Sequence, residues 1–374
     1  MDILKSIEIG FRRFLLRALR LVIKRGKPLP SDFHFNASKI LFVRQDRIGD
    51  VLVSTPLFYA LKRHYPSAVV DFLLSSNNHF VLAHEPLVRK RWVYRKTIAS
   101  ALSLIRSIRR EKYDFVIDLM DNPSTTSTVI CALAGGRWNV GLSKENEYAY
   151  DIAVPLMSRR DTHIVDRLAM LLTVFGVKPE GEKLEIRYVL SSGSERFARR
   201  YFAEQGLEGR FVIGLNVSPG SGVRFWSVAN FQVLIARLLE ELPGLPIVIL
   251  YQPADRRQAE EIARPFDGAL LSPATHSFDE FAAVVKLLGM LVTPDTSAVH
   301  LAAAFHIPAV VLYVQSNKEL RIWEPYGSVC ETLVTEVDDL TTIPPDRVFD
   351  AIERLMQKAR PGALRLQVTG AKPS

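Results

Sequence analysis

Cysteine is almost missing from this chain: there are two in 374 residues, Cys131 and Cys330, far apart and in unrelated surroundings. That argues against a disulfide framework or a zinc site and suits a reducing compartment, so a cytoplasmic protein is expected. Long apolar runs are missing too. No stretch reaches the ~18 uninterrupted apolar residues of a membrane span, and no cleavable signal peptide is evident. Two nucleotide fingerprints are also lacking. No G-x-G-x-x-G follows the first apolar strand, which leaves a dinucleotide dehydrogenase poorly supported, and no Gly-rich loop ends in Gly-Lys-Ser/Thr.

Net charge is scarce once one end is set aside. Of the formal +8, Met1–Lys27 carries +6, from eight Lys/Arg against Asp2 and Glu8, and the rest of the chain only +2. A near-neutral body offers no footprint for nucleic acid. The basic end interleaves Ile3, Leu4, Ile7, Phe11, Phe14, Leu15, Ala18, Leu19 and Val22 with its arginines, at the three-and-four spacing of one helical face. Such a helix lies in the surface of an anionic membrane, or it packs on the protein's own body or a partner; the basic flanks favour the membrane. Gly26–Ser31 then reads as a linker.

What is present is alternation. Ile40–Val43, Val69–Leu74 and Phe115–Leu119 read as strands, Ala99–Glu111 and His163–Val177 as helices, the second closed by Gly176. After a polar stretch near residues 190–208 the pattern restarts. Strands are expected at Phe211–Val217, Pro246–Tyr251, Ala269–Leu271, Met290–Thr293 and Ala309–Tyr313. Helices are expected at Val228–Glu241, Asp255–Ala263 and after the capping box Ser277–Glu280. Alternation of this kind implies parallel sheets. The expected class is α/β: two Rossmann-like domains facing a cleft, over residues 38–190 and 209–345. A basic amphipathic helix over 1–30 precedes them, and a C-terminal helix with a flexible tail over 346–374 follows.

Three stretches carry chemistry. In Lys39–Leu61, a strand, a polar RQDRIGD and an amphipathic run from Val51 place Gly49 and Asp50 at a strand-to-helix turn. Open α/β sheets gather ligands there. Asp50 is either a helix N-cap or a carboxylate aimed into the site, and Pro56 implies a kink or a late helix start. Ser218–Trp226 (SPGSGVRFW) is a small-residue loop with Arg224 behind it, suited to diphosphate oxygens. Asp295–Ala304 (DTSAVHLAAA) opens a helix with Thr296 and Ser297 at its N-terminus, a ready anion site. His300, in the same helix, is either a ligand-facing group or a half-buried helix residue.

Taken in order, RxxxxGDxxxxTP, PGSGxxxW and PDTSxxHxAAAxxxP resemble glycosyltransferase family 9, the ADP-heptose:lipopolysaccharide heptosyltransferases, from Lys39 to Tyr313. The matching residues are Arg44, Gly49, Asp50, Thr55 and Pro56; His163 and Asp166; Pro219, Gly220 and Trp226; and Asp295, Thr296, His300, Ala302–Ala304 and Pro308. The resemblance implies a GT-B fold and an inverting transferase that needs no metal and no cofactor. It puts the general base at Asp50. The donor, a nucleotide-diphospho-sugar and ADP-heptose by family default, falls to Ser221, Arg224, Asp295, Thr296, Ser297 and His300. The acceptor, a lipopolysaccharide core or related lipid-linked oligosaccharide, falls to Arg44, Arg47 and Asp118. The basic N-terminal helix would hold the enzyme peripherally on the inner face of the cytoplasmic membrane. Arg224 and Ser227 stand where the family usually has lysine and proline. A nucleotide-sugar epimerase of the same fold, or a non-catalytic nucleotide-sugar-binding membrane protein, are the alternatives.

Overall fold

The computed structural model describes residues 14, 16–21, 23, 26–95, 97–220, 222–314 and 323–359. Most of the basic end, residues 1–13, and the tail from residue 360 lie outside them. The chain forms two compact units, Met1–Leu184 and Glu185–Ser374.

The first unit holds six strands: β1 (Lys39–Val43), β2 (Val69–Ser75), β3 (Val88–Tyr94), β4 (Phe115–Asp118), β5 (Trp138–Leu142) and β6 (Ile152–Val154). All pair in parallel, in the order β3-β2-β1-β4-β5-β6. Central β1 is covered on both faces, so Ile40–Val43 form one buried apolar run and not an alternation. β3, β5 and β6 are absent from the expected set. β3 is an edge strand whose Arg89, Lys90 and Arg91 are exposed, and charges on an edge oppose pairing with a second chain.

Besides the helical residues 16–21, the described residues of this unit form α1 (Ile48–Leu52), α2 (Thr55–His64), α3 (Ile98–Glu111), α4 (Thr125–Leu133) and α5 (Ile164–Ala169). The run expected as one helix from Val51 is two. α1 begins three residues earlier, and Pro56 sits in the first turn of α2, where its missing N–H costs nothing. α5 is shorter than expected. His163 caps it, Nδ1 accepting from the Val165 N–H at 3.2 Å, and a 3₁₀ turn leads on to Gly176 at φ +71°.

The supposed linker is a strap. Residues 16–21 are helical, Leu16 is buried, and its carbonyl accepts from the Tyr148 hydroxyl at 2.6 Å. The N–H groups of Gly26 and Lys27 both donate to Asp151 Oδ1 at 3.0 Å, and Trp138 Nε1 donates to the Pro28 carbonyl at 3.2 Å. Phe33 and Phe35 then pack among Phe115, Trp138 and Phe175. Among the described residues no helix is long and apolar enough to cross a membrane.

The second unit repeats the plan with β7 (Ile213–Asn216), β8 (Ile247–Leu250), β9 (Ala269–Leu271), β10 (Met290–Pro294), β11 (Ala309–Tyr313) and β12 (Cys330–Val334), again all parallel. Its order is β12-β11-β10-β7-β8-β9. The helices are α6 (Ser192–Glu204), α7 (Val228–Glu241), α8 (Arg256–Ala263), α9 (Phe278–Lys286), α10 (Ser297–Phe305) and α11 (Pro345–Ala359). α6 occupies the stretch read as polar: Ser191 caps it, and Ala198 and Phe202 bury one side. Ser277 caps α9 by accepting from the Glu280 N–H at 3.1 Å, while Glu280 Oε2 reaches back to the His276 N–H at 2.7 Å.

Counted from its own first strand, each sheet runs 3-2-1-4-5-6 and reverses between its first and fourth strands. Ligands of such sheets bind beyond the strand C-termini at that reversal. In the first unit this is where β1 leads to Asp50 and β4 ends at Asp118. In the second it is where β7 leads to the Ser218 loop and β10 to Asp295.

Candidate functional site

In the first unit the site is built around Arg44, which directly follows β1. Its side chain is 0% exposed. Nε donates to the Asp50 carbonyl at 3.0 Å and Nη2 to Asp50 Oδ1 at 3.1 Å; Nη1 donates to the Leu119 carbonyl beyond β4. Asp46 Oδ1 lies 3.3 Å from Nε. Asp50 Oδ2 accepts from the Arg47 N–H at 3.0 Å. Asp50 is therefore not the N-cap of a helix: it is the third residue of α1, with both carboxylate oxygens engaged and 6% of its surface exposed.

Two of the residues expected on the acceptor side are fully buried. Arg44 spends Nε, Nη1 and Nη2 on Asp50 and the Leu119 carbonyl. Asp118 is buried completely as well. Its Oδ1 accepts from the Met120 N–H at 3.0 Å, and its Oδ2 from Ser127 Oγ at 3.0 Å and the Tyr150 hydroxyl at 2.6 Å, with Lys144 Nζ 3.4 Å away. Gly141 makes this network possible, since a Cβ there would lie 2.4 Å from the Tyr150 ring. Arg47 is exposed.

Burial pulls the Arg44 pKa down, but Asp46, Asp50, Asp121 and Asp118 together outweigh it and hold it above its ordinary value. Burial pushes Asp46 up to about 7, with Asp50 and Asp121 adding to the rise and Arg44 opposing it. Folded Asp46 keeps its proton to about pH 7, whereas the unfolded chain loses it near 3.8. This contribution is complete below pH 3.8 and is lost as pH rises through 7. We expect wild type to lose stability relative to Asp46→Asn across that window in urea titrations at stepped pH; a constant difference would contradict it.

In the second unit, Asn216 ends β7 and ties the reversal together. Its Nδ2 donates to Thr293 Oγ1 at 2.9 Å and Thr296 Oγ1 at 3.4 Å, while its Oδ1 accepts from the Ser218 N–H at 3.2 Å. Thr296 caps α10, accepting from the Ala298 N–H at 3.3 Å, so the helix opens toward Gly220, whose φ of +66° suits glycine. Arg224 reaches across the loop: Nη1 donates to the Asp295 carbonyl at 2.7 Å and Nη2 lies 3.0 Å from Asp295 Oδ2. Arg224, Asp295, Thr296 and Ser297 are all half-exposed. These groups combine a helix N-terminus, two hydroxyls and a guanidinium, a set that can hold a diphosphate.

Ser221 lies outside the described residues. His300 is buried on the inner side of α10, its ring centroid 6.3 Å from that of Trp323. Trp226 is structural: it is 0% exposed and donates from Nε1 to the Ile343 carbonyl at 2.8 Å. Ser227 takes φ +83° and caps α7 by accepting from the Asn230 N–H. A proline, locked near −65°, could not stand there.

Several residues at these two reversals escaped the sequence reading. Asn216 is a lone polar residue at the end of an apolar strand, which is a usable signal. Asp121, Lys144, Arg159 and Arg167 give none, because their partners come from distant elements. Arg167, 2% exposed, places Nη1 3.1 Å from Asp121 Oδ2. Arg159 Nη2 donates to the Asp121 carbonyl and to Asn122 Oδ1, both at 2.7 Å.

The profile of glycosyltransferase family 9 (heptosyltransferase) matches residues 101–337. Lipopolysaccharide heptosyltransferase 3 of Escherichia coli K12 is 25% identical over 354 residues, 85% of this chain and 98% of that protein. Two solved structures share the fold at 18% identity: a family 9 glycosyl transferase from Veillonella parvula (TM-score 0.75, 87% of this chain and 99% of that one) and the Escherichia coli heptosyltransferase WaaC with ADP (TM-score 0.68, 86% and 99%).

Proposed function

This chain belongs to glycosyltransferase family 9 (heptosyltransferase), and from there we propose that it moves a heptose from ADP-heptose to a lipopolysaccharide core or related lipid-linked glycan, with inversion and without a metal. The observation that carries the mechanism is the fixed carboxylate of Asp50 at the reversal of the first sheet, held by Arg44 and the Arg47 N–H. Asp50 takes the proton of an acceptor hydroxyl as its oxygen attacks the anomeric carbon. A glycosidic C–O bond forms, the C–O bond to the diphosphate breaks from the opposite side, and the nucleoside diphosphate leaves. Single displacement inverts the centre.

The leaving diphosphate is received by Arg224, Thr296, Ser297 and the N-terminus of α10. Their fixed charges and dipoles stabilise the negative charge that grows on it. Ser221 and His300 belong to the donor side on the strength of the resemblance, and Arg47 to the acceptor side. The basic N-terminal stretch rests on the inner face of the cytoplasmic membrane. In support, Leu16 packs inward while Phe14 and Leu21, beside Arg17 and Arg20, stay 67% and 83% exposed.

The test is nucleoside-diphosphate release from ADP- and UDP-sugars with and without a lipid A–core extract. Acceptor-dependent release from ADP-heptose is expected; turnover without acceptor would mark an epimerase. In the same assay Arg224→Ala should lower kcat/KM for the donor roughly 10- to 100-fold, the loss of a charge-assisted contact. Arg224→Lys should recover part of it. Equal activity of all three would remove Arg224 from the donor site.

A further inference from the structure

The second sheet has a hollow at the end remote from Ser218 and Asp295. β7 and β10 begin there side by side, the first entered by the chain leaving α6 and the second by the chain leaving α9. Between these segments lies a cavity of about 510 Å³. That is within the roughly 300–1,000 Å³ of small-molecule sites. Its walls are set by close approaches. After α6 the Leu207 N–H donates back to the Phe202 carbonyl at 2.7 Å. After α9 the N–H groups of Gly289 and Met290 both donate to the Val212 carbonyl, at 2.9 and 3.2 Å. Gly289 must lack a side chain, because a Cβ there would collide with the Phe211 ring.

The lining divides by chemistry. Phe202, Leu207 and Leu288 are buried and form an apolar wall. Arg199 from α6, Arg210 from the loop and Lys286 from the end of α9 are exposed and bring three cations to the same hollow. They are only partly engaged. Lys286 Nζ donates to Glu195 Oε1 at 2.7 Å and Arg210 Nη2 to the Gly244 carbonyl at 2.6 Å, which leaves further donors on each group. Arg199 makes no hydrogen bond or ion pair among the described residues.

Positive charge is in excess. Among the described residues Glu208 is the only acid in the lining, and the cations outnumber the acids even with Glu195 counted. The Lys286 hydrogen bond holds the Glu195 carboxyl below its ordinary range, and the charges of Lys286 and Arg199 add to it. The helix dipole favours a cation in the last turn of α9 and so accounts for Lys286. It does not account for Arg210, which lies outside any helix, or for Arg199, which stands more than a turn before the end of α6.

We propose that this hollow binds a phosphomonoester whose organic part is compact and apolar. Its phosphate meets Arg199, Arg210 and Lys286, and its organic part covers Phe202, Leu207 and Leu288. A doubly charged group with three terminal oxygens matches cations that arrive from three separate segments. The site is independent of the transferase reading, and it lies at the opposite strand ends from the donor loops, so its ligand and a nucleotide bind together.

The full chain is titrated calorimetrically with phenyl phosphate, a short-chain phosphatidic acid, inorganic phosphate and phenol, each with and without ADP. Wild type should bind phenyl phosphate or the phosphatidic acid roughly 10-fold or more above inorganic phosphate and phenol, since charge-assisted contacts and apolar burial act together. ADP should leave that binding in place. Arg199→Gln and Arg210→Gln should each weaken the phosphate-bearing ligands and leave phenol unchanged, with thermal melting as the check on folding. Arg200→Gln is the control: Arg200 pairs with Glu204 on the same helix and lies outside the lining. It should change nothing. Tighter binding of the phosphatidic acid than of phenyl phosphate identifies a lipid headgroup as the source; the reverse identifies a soluble metabolite.

Absence of saturable binding overturns the proposal, as does equal binding of inorganic phosphate and phenyl phosphate. Displacement by ADP would put the ligand in the nucleotide site instead. An equal loss in Arg200→Gln would reduce the effect to diffuse surface charge, and either result overturns the site.

Discussion

Asp50→Asn should cut acceptor-dependent nucleoside-diphosphate release by roughly 10²–10⁴-fold, the usual contribution of a positioned general base. At about 1.36 kcal/mol per decade this corresponds to about 3–5 kcal/mol of barrier. Asparagine keeps the shape of the side chain and an oxygen for the Arg47 N–H. Arg44 keeps Asp46 and two carbonyls. Donor KM and the far-ultraviolet spectrum should therefore stay as in wild type, so that the loss falls on kcat. Unchanged kcat would remove Asp50 from the chemistry. A fall confined to acceptor KM would make it a binding group only.

The second large effect is on folding. Arg44→Met replaces a guanidinium of 0% exposure by an apolar chain of similar length and leaves the Asp50 carboxylate without its cation. Breaking one side of a buried ion pair costs about 3–5 kcal/mol, because the remaining charge is stranded in a poorly solvated place. For a unit of this size each kcal/mol moves Tm by about 2–4 °C, so a drop of roughly 6–20 °C is expected. Calorimetry should show the transition of the first unit moving down while that of the second stays. The double variant Arg44→Met with Asp50→Asn should be less destabilised than the sum of the singles, since fewer charges are left unpaired. Strict additivity would mean that the 3.1 Å contact carries no coupling.

The second sheet was largely legible because its strands are short apolar runs bounded by turn residues. Ala269–Leu271 and Ala309–Tyr313 match the structure to the residue, as does the helix Val228–Glu241. The strands that went unread have physical reasons. β3 is masked by Arg89, Lys90 and Arg91, and β6 is only three residues long. At the site, position was legible and partnership was not. Asp50 shows itself as an aspartate at a strand-to-helix turn. That Arg44 is bonded to it and to a carbonyl 75 residues away at Leu119 is not written in the local sequence. Asp118 looks like a ligand-facing acid in FVIDL until Ser127, Tyr150 and Lys144 are seen closing on it from three other segments. Ser227 sits at a positive φ that no local pattern announces.

The strap at the N-terminal end has a consequence for synthesis. Gly26 meets its partner Asp151 at a separation of 125 residues. At about 5–20 residues added per second, that partner is made about 6–25 s later. Throughout that interval Leu16, Phe14 and Leu21 have no Tyr148 or Asp151 to be drawn toward, and the arginines between them travel with an uncovered apolar segment. A ribosome carrying the unfinished chain thus displays a sticky, cationic leader. Completion of β6 hides one side of it and leaves the other showing.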